Sequence, residues 1–323
     1  MNHDILGGDG MAEKDIMEKA LEAYDDVFAD IMNNLMFHGR QRVKEEELER
    51  GRERSFYTGE KKIREQERDT SKYWKHNNIR IAYVGIENET KPEKDMPFRV
   101  IGYDGAAYRD QIDRIGDPSG RKDEGIRYPV ITLVLYFGYR KHWDKARTLH
   151  EALGEQLDEE LKPFVSDYRI HVFEIAYLTD EQLTGFKSDF RFVADYFVQK
   201  QRTGTYVGSH EKVRHVREVL QLLSVLAEED RFRQVAEETK DAKDGKEINT
   251  MCEVLDQIEA RGEARGEARG EARGEGRMLQ LVQALIEVGR IDDIRRASVD
   301  PDYLADLYEE FGIDYPDPEF DGE

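Results

Sequence analysis

Residues Ile79 to Glu89 read IRIAYVGIENE. An apolar, β-rich run of this length spells a strand buried for most of its course, and it ends by presenting two carboxylates, Glu87 and Glu89. Side chains alternate along a strand, so these two acids share a face, with the Asn88 carbonyl between them as a further oxygen donor. Asp69 lies a short way upstream, where a neighbouring strand would bring it alongside. Oxygen-rich carboxylate clusters hold Mg²⁺ or Mn²⁺, and hydrolysis of a phosphodiester needs such an ion to neutralise developing charge and activate water. On this reading Asp69 and Glu87 carry the metal, and Glu89 orients or deprotonates the water. The plainer alternative is that three acids among 70 are solvated surface.

Working outward, Ala12 to Phe37 places apolar residues at helical spacing (Ile16, Ala20, Leu21, Tyr24, Val27, Phe28, Ile31, Leu35) and predicts an amphipathic helix closed by Gly39. A hairpin is expected around Thr58-Gly59. Beyond the Ile79 strand, Pro97 to Ile115 reads as a helix. Tyr128 to Phe137 (YPVITLVLYF) is a long β-branched strand that belongs in a sheet interior. Trp143 to Leu161 is expected to be helix, Arg169 to Tyr177 strand, and Asp189 to Lys200 helix. Alternating helices and strands of this kind define an α/β fold.

After about residue 206 the chain reads as helix. A helical extension (206–259) leads into four copies of Ala-Arg-Gly-Glu (Ala260 to Glu275), then a small helical module with an acidic end (277–323). In the repeat Arg and Glu stand two or six apart, never three or four, so intrahelical ion pairs lack their usual spacing. Each glycine also costs a helix about 1 kcal/mol. An exposed, marginal helix or a flexible spacer is expected there. Apolar helix faces on so small a module predict a homo-oligomer joined through the C-terminal helices.

The net charge of -21 disfavours indiscriminate binding of nucleic acid by the whole chain. Its distribution matters more. Ser298 to Glu323 holds ten acids and no Lys or Arg, whereas Arg40 to His76 holds twelve Lys or Arg against nine acids, beside the candidate site. The single cysteine, Cys252, excludes an intrachain disulfide or a thiolate zinc cluster and points to a reducing compartment, with the cytoplasm as the expected location. No stretch approaches the length of apolar chain that spans a bilayer, and no membrane association is expected. The eight histidines form no HxH or HExxH pattern and no Gly-rich phosphate loop appears, so neither a zinc hydrolase nor a small-molecule cofactor is expected.

Several segments together carry a family resemblance. ERDTSKYW (Glu67 to Trp74), IRIAYVGIENET, and MPFRVIGYDGAAYRDQ (Met96 to Gln111) resemble the core of the Rpn-type recombination-promoting nucleases, also described as transposases, in the PD-(D/E)XK superfamily. VFADIMNNLMFHG, LYFG, HWDKARTLHEAL and YRIHVFEIAYL follow in the family's order, so the resemblance spans roughly Ala12 to Gln201. It implies a restriction-endonuclease-like domain (12–205), a mixed sheet flanked by helices, after a loose arm (1–11) and ahead of the C-terminal all-helical region. It further implies Mg²⁺-dependent DNA cleavage linked to recombination or mobile elements. By position, Asp69 matches the motif aspartate and Glu87 the next acid. Glu89 falls where the superfamily usually has Lys and this family often Gln, which leaves open a second reading: an inactive nuclease fold retained as a DNA-binding or protein-interaction module. An acid on the first helix often joins such sites, and Asp25 is the choice among Glu18, Glu22, Asp25, Asp26 and Asp30. Arg99 and Arg109 on the following helix are candidates for DNA phosphate contacts, or equally for internal counter-ions.

Overall fold

The computed structural model describes residues 20–51, 54–59, 62–67, 69–77, 79–113, 127–239 and 248–313. The arm expected at 1–11, the residues from 12 to 19 where a helix is expected to begin, and the acidic end beyond 313 lie outside these residues. Seven strands are present among them: β1 (Leu48–Arg50), β2 (Arg54–Gly59), β3 (Lys62–Glu67), β4 (Thr70–His76), β5 (Ile79–Glu89), β6 (Val130–Tyr136) and β7 (His171–Glu174). β2 and β3 form the expected hairpin, with Gly59 opposite Lys62. The other five make one mixed sheet in the order β1-β4-β5-β6-β7. β4 runs antiparallel to β1 and β5, while β5, β6 and β7 are parallel.

β5 is therefore the middle strand, and both its faces are covered from Ala82 to Glu87. By alternation, Ala82, Val84, Ile86 and Asn88 face one side and Tyr83, Gly85, Glu87 and Glu89 the other. The helix Met96–Asp113 covers the second side, where Met96 and Val100 pack with Val134, Tyr136, Trp143 and Ile170. The helix Phe190–Thr203 lies against the first, and Phe137 meets the rings of Phe190 and Phe197 at centroid distances of 6.3 and 5.1 Å. Full burial of each such ring contributes about 1.5–3 kcal/mol. Gly204, at φ +77, closes this helix in a conformation open to glycine.

The helix expected from Ala12 to Phe37 breaks at Ala23 and Tyr24, where the backbone turns extended, and its later part, Asp25–Ile31, continues as a π-helix over Met32–Met36. Buried Asn33 fastens the chain that follows it: its side-chain oxygen accepts from the amides of Arg42 and Val43, both at 2.8 Å, and its amide donates to the Val43 carbonyl at 2.7 Å.

Two local expectations are corrected. The helix read over Trp143 to Leu161 reduces to Leu149–Leu153 with short 3-10 turns at Gly154–Gln156 and Lys162–Phe164. Thr148 caps its start, accepting from the Glu151 amide, and Gly154 takes φ +54 at its end, while the preceding Trp143 is tied into the sheet edge. The strand read over Arg169 to Tyr177 shortens to β7 because Ile175–Tyr177 turns into a 3-10 helix.

The chain divides into two compact units, Met1–Leu255 and Asp256–Glu323. The first takes in helices Val216–Leu226 and Asp230–Glu238 as well as the sheet. Asp189 joins them to the sheet layer by accepting from the amides of Arg214 and His215, at 2.8 and 2.6 Å, and Tyr196 packs edge-on to Phe232. In the second unit Leu281, Leu285, Ala297, Leu307 and Tyr308 form a small core of their own, and Asp300 caps the Pro301–Glu310 helix by accepting from Tyr303.

The Ala-Arg-Gly-Glu repeat is helical throughout, inside one helix from Met251 to Glu287. Its residues from Gly262 to Gly276 are exposed, and a methyl group added at Gly262, Gly266, Gly270 or Gly274 meets nothing within 4 Å. Replacing these four glycines with alanine is expected to stabilise the helix by about 1 kcal/mol per site, read as higher helicity and later melting of that signal by circular dichroism. An unchanged melt would show that the repeat does not melt as helix.

Candidate active site

The acids gather where β5 ends. An Asp69 carboxylate oxygen accepts from the Asn88 amide at 2.7 Å, which fixes Asp69 beside the Glu87–Glu89 segment. Glu87 is almost fully buried and Glu89 largely so. Both turn toward the Met96–Asp113 helix, and Arg99 of that helix meets them. Its guanidinium donates to Glu87 at 3.1 Å, to Glu89 at 2.7 Å, to Glu93 at 2.5 Å, and more distantly to the Tyr103 hydroxyl at 3.4 Å.

Burial dominates the electrostatics. It pushes the Glu89 carboxyl up to about 7 against the opposing pull of Arg99, with Glu93 and Asp69 adding to the rise. Burial also works against the Arg99 charge, but hydrogen bonds to Tyr103 and Glu93 and the field of Glu87 outweigh it, so Arg99 stays cationic. The Tyr103 hydroxyl is raised by burial and by Glu87. Arg99 is thus placed as the internal counter-ion of the cluster, whereas Arg109 is exposed on the same helix.

The acids near the first helix sort by partner. Asp25 pairs with the buried amine of Lys72 on β4, which also donates to the Ala23 carbonyl and lies over the Phe28 ring. Asp26 stands 3.9 Å from Arg214. Asp30 accepts from the amides of Lys187 and Ser188, both at 2.7 Å. The acid that reaches β5 is Glu22, fully buried, which accepts from the Asn88 side-chain amide at 3.1 Å. Asp69, Glu87 and Glu89 gather at the end of β5, while Asp25 is engaged by Lys72 and Glu22 meets the side chain of Asn88, on the face of the strand opposite Glu87 and Glu89. Lys72 is a buried cation that the reading passed over. Its signal was present: a lysine within the otherwise uncharged face of a strand needs an acid to meet it.

Tested against a divalent metal, the donor set is chemically suitable, since carboxylates and a backbone carbonyl are hard oxygen ligands. Among the described residues, however, no group of three or more His, Cys, Asp or Glu is disposed to hold a metal ion. The positive charge at this point is supplied by Arg99.

A mixed sheet flanked by helices, with carboxylates collected at the end of its central strand and an all-helical region following, defines a restriction-endonuclease-like nuclease fold. Residues 54–229, just over half the chain, match the family described as "Putative transposase, YhgA-like", and the chain belongs to that family, consistent with the PD-(D/E)XK superfamily. No curated protein and no solved structure matches the chain. Among the described residues no helix is long and apolar enough to cross a membrane.

Proposed function

We propose that this protein is a Mg²⁺- or Mn²⁺-dependent DNA endonuclease acting in recombination or on mobile elements, with Asp69 and Glu87 as the metal-holding residues. The observation that carries the proposal is the Asp69 to Asn88 hydrogen bond, which sets a third carboxylate against the two at the end of β5. When bound, the metal would neutralise charge on the scissile phosphate and activate water. Glu89, on the same face, orients that water. Asp25, paired with Lys72, and Glu22, which braces the strand end through the Asn88 side chain, support the site from the other face of the sheet. Arg99 holds Glu87 and Glu89 close to one another in the absence of metal, and the exposed Arg109 is available to a phosphate.

Nicking of supercoiled plasmid by purified protein, with and without Mg²⁺ or Mn²⁺, tests the proposal. Metal-dependent conversion to open circles is the expected result. The Arg99 ion pairs also favour a second reading, a metal-free module in which the arginine has replaced the ion. Calorimetric titration with Mn²⁺ separates the two: no heat of binding at millimolar metal, together with no nicking, would establish the second.

A further inference from the structure

The sheet edge that carries the acids also launches an unassigned basic loop. β6 leaves the sheet beside Glu89: the Phe137 amide donates to the Glu89 carbonyl at 2.8 Å, and Glu89, Tyr136 and Glu174 stand in register across β5, β6 and β7. The chain that follows, YRKHWDKAR from Tyr139 to Arg147, holds four Lys or Arg against one acid, in a protein whose net charge is -21.

This loop is built to hold a shape. Trp143 is buried against Tyr136 in an edge-on contact of 5.4 Å, and its indole N–H donates to the Lys145 carbonyl at 2.9 Å. The Tyr136 hydroxyl donates to the Lys141 carbonyl at 3.0 Å. A side chain at Gly138 would collide with the Tyr136 ring, so only glycine lets the chain turn so close to it. Glu174 clamps the loop from below: one oxygen accepts from the Trp143 amide at 3.0 Å and faces His142 Nδ1 at 2.8 Å, and the other accepts from Arg147 at 2.6 Å. His142 stacks on Tyr177 at 3.7 Å.

With the backbone held and Arg147 and His142 engaged by Glu174, Arg140, Lys141 and Lys145 point into solvent. Among the described residues their acidic neighbour is Asp144, 3.1 Å from Lys141 and 3.7 Å from Lys145. Lys141 and Lys145 are 58% and 42% exposed, and Arg140 extends beside the Tyr139 ring. Preorganised, exposed cations with adjacent aromatics are what a polyanionic backbone selects, and here they stand one strand away from carboxylates that would otherwise repel it.

We infer that Arg140, Lys141 and Lys145 form a phosphate-binding edge that seats a DNA duplex backbone against the end of β5. The inference rests on the nuclease reading for its partner, but its test is separate, because it reads binding and not cleavage. Affinity of the full chain for a labelled random-sequence duplex is measured by fluorescence anisotropy across a salt series, with Ca²⁺ as the divalent ion. The triple variant Arg140→Ala, Lys141→Ala, Lys145→Ala is expected to bind roughly 10- to 100-fold more weakly at low salt and to lose about 3 from the salt slope. A control variant removing Lys162, Arg202 and Arg233, exposed cations elsewhere on the same unit, is expected to change the slope little.

Equal effects of the two triple variants would overturn the inference, as would a parent protein that binds no duplex. If the triple variant does not fold, Lys141→Ala and Lys145→Ala alone are each expected to lower the slope by about 1, and no change in either would overturn it. A parent that binds through this loop yet never nicks plasmid leaves the inference standing and removes the nuclease reading. Cleavage with loop-independent binding does the reverse.

Discussion

On the proposed nuclease reading, replacement of Glu87 by glutamine, or of Asp69 by asparagine, is expected to lower metal-dependent nicking by about a thousandfold or more, since each would remove a charge proposed to hold the metal, worth several kcal/mol of transition-state stabilisation. The amides keep the shape of the carboxyls, so the effect on folding should be small for Asp69, whose bond to the Asn88 amide an asparagine oxygen can still accept. For Glu87 the loss of charge is cushioned because Arg99 retains Glu89 and Glu93. Nicking rates alongside melting temperatures check this. A Glu87→Gln protein that cuts at the parental rate would remove this residue from the site.

The second large effect is on stability. Arg99→Ala removes the guanidinium from buried Glu87 and leaves Glu87, Glu89 and Asp69 facing one another; breaking a fully buried pair typically costs about 3–5 kcal/mol, and because Arg99 is 37% exposed the loss is expected near or below the lower end of that range. Urea denaturation without metal is expected to show a loss of that order. Added Mn²⁺ should then stabilise Arg99→Ala more than it stabilises the parent, because the ion no longer competes with the guanidinium. Combining Arg99→Met with Glu87→Gln, which removes both charges, should recover most of the loss. If Mn²⁺ shifts the two proteins equally, Arg99 does not occupy the place of a metal.

The sheet was legible because its central strands are long, apolar and, in β6, rich in β-branched residues, so pattern alone separated them from helix. The segment after Trp143 was not. Its apolar spacing suits a helix, but Trp143 is more strongly held by the sheet edge than by any helical neighbour, and Thr148 and Gly154 confine the helix to a turn and a half. At the site, alternation along β5 was enough to group Glu87 with Glu89, and the β4–β5 pairing brings in Asp69. The acids around the first helix were less legible. Glu22 and Asp25 are both near the strands, and what separates them is Lys72, which takes Asp25, and the Asn88 side chain, which takes Glu22. Such choices are made by partners distant in sequence. Arg99 was equally undecided, because helical spacing says which residues share a face but not whether that face meets acids or solvent.

The continuous helix through the Ala-Arg-Gly-Glu repeat turns copy number into geometry. At 1.5 Å and 100° per residue, each four-residue copy adds about 6 Å of rod and advances the azimuth by about 40°. The four copies between Ala260 and Glu275 therefore make a strut of about 24 Å with a fixed phase between its first residue and the small core around Leu281 and Leu307. Gain or loss of a copy, the change to which tandem repeats are most prone, would leave every local contact of that core intact. It would still carry the core forward by one increment and rotate it, so the repeat behaves as a ruler graded in discrete steps of both length and angle.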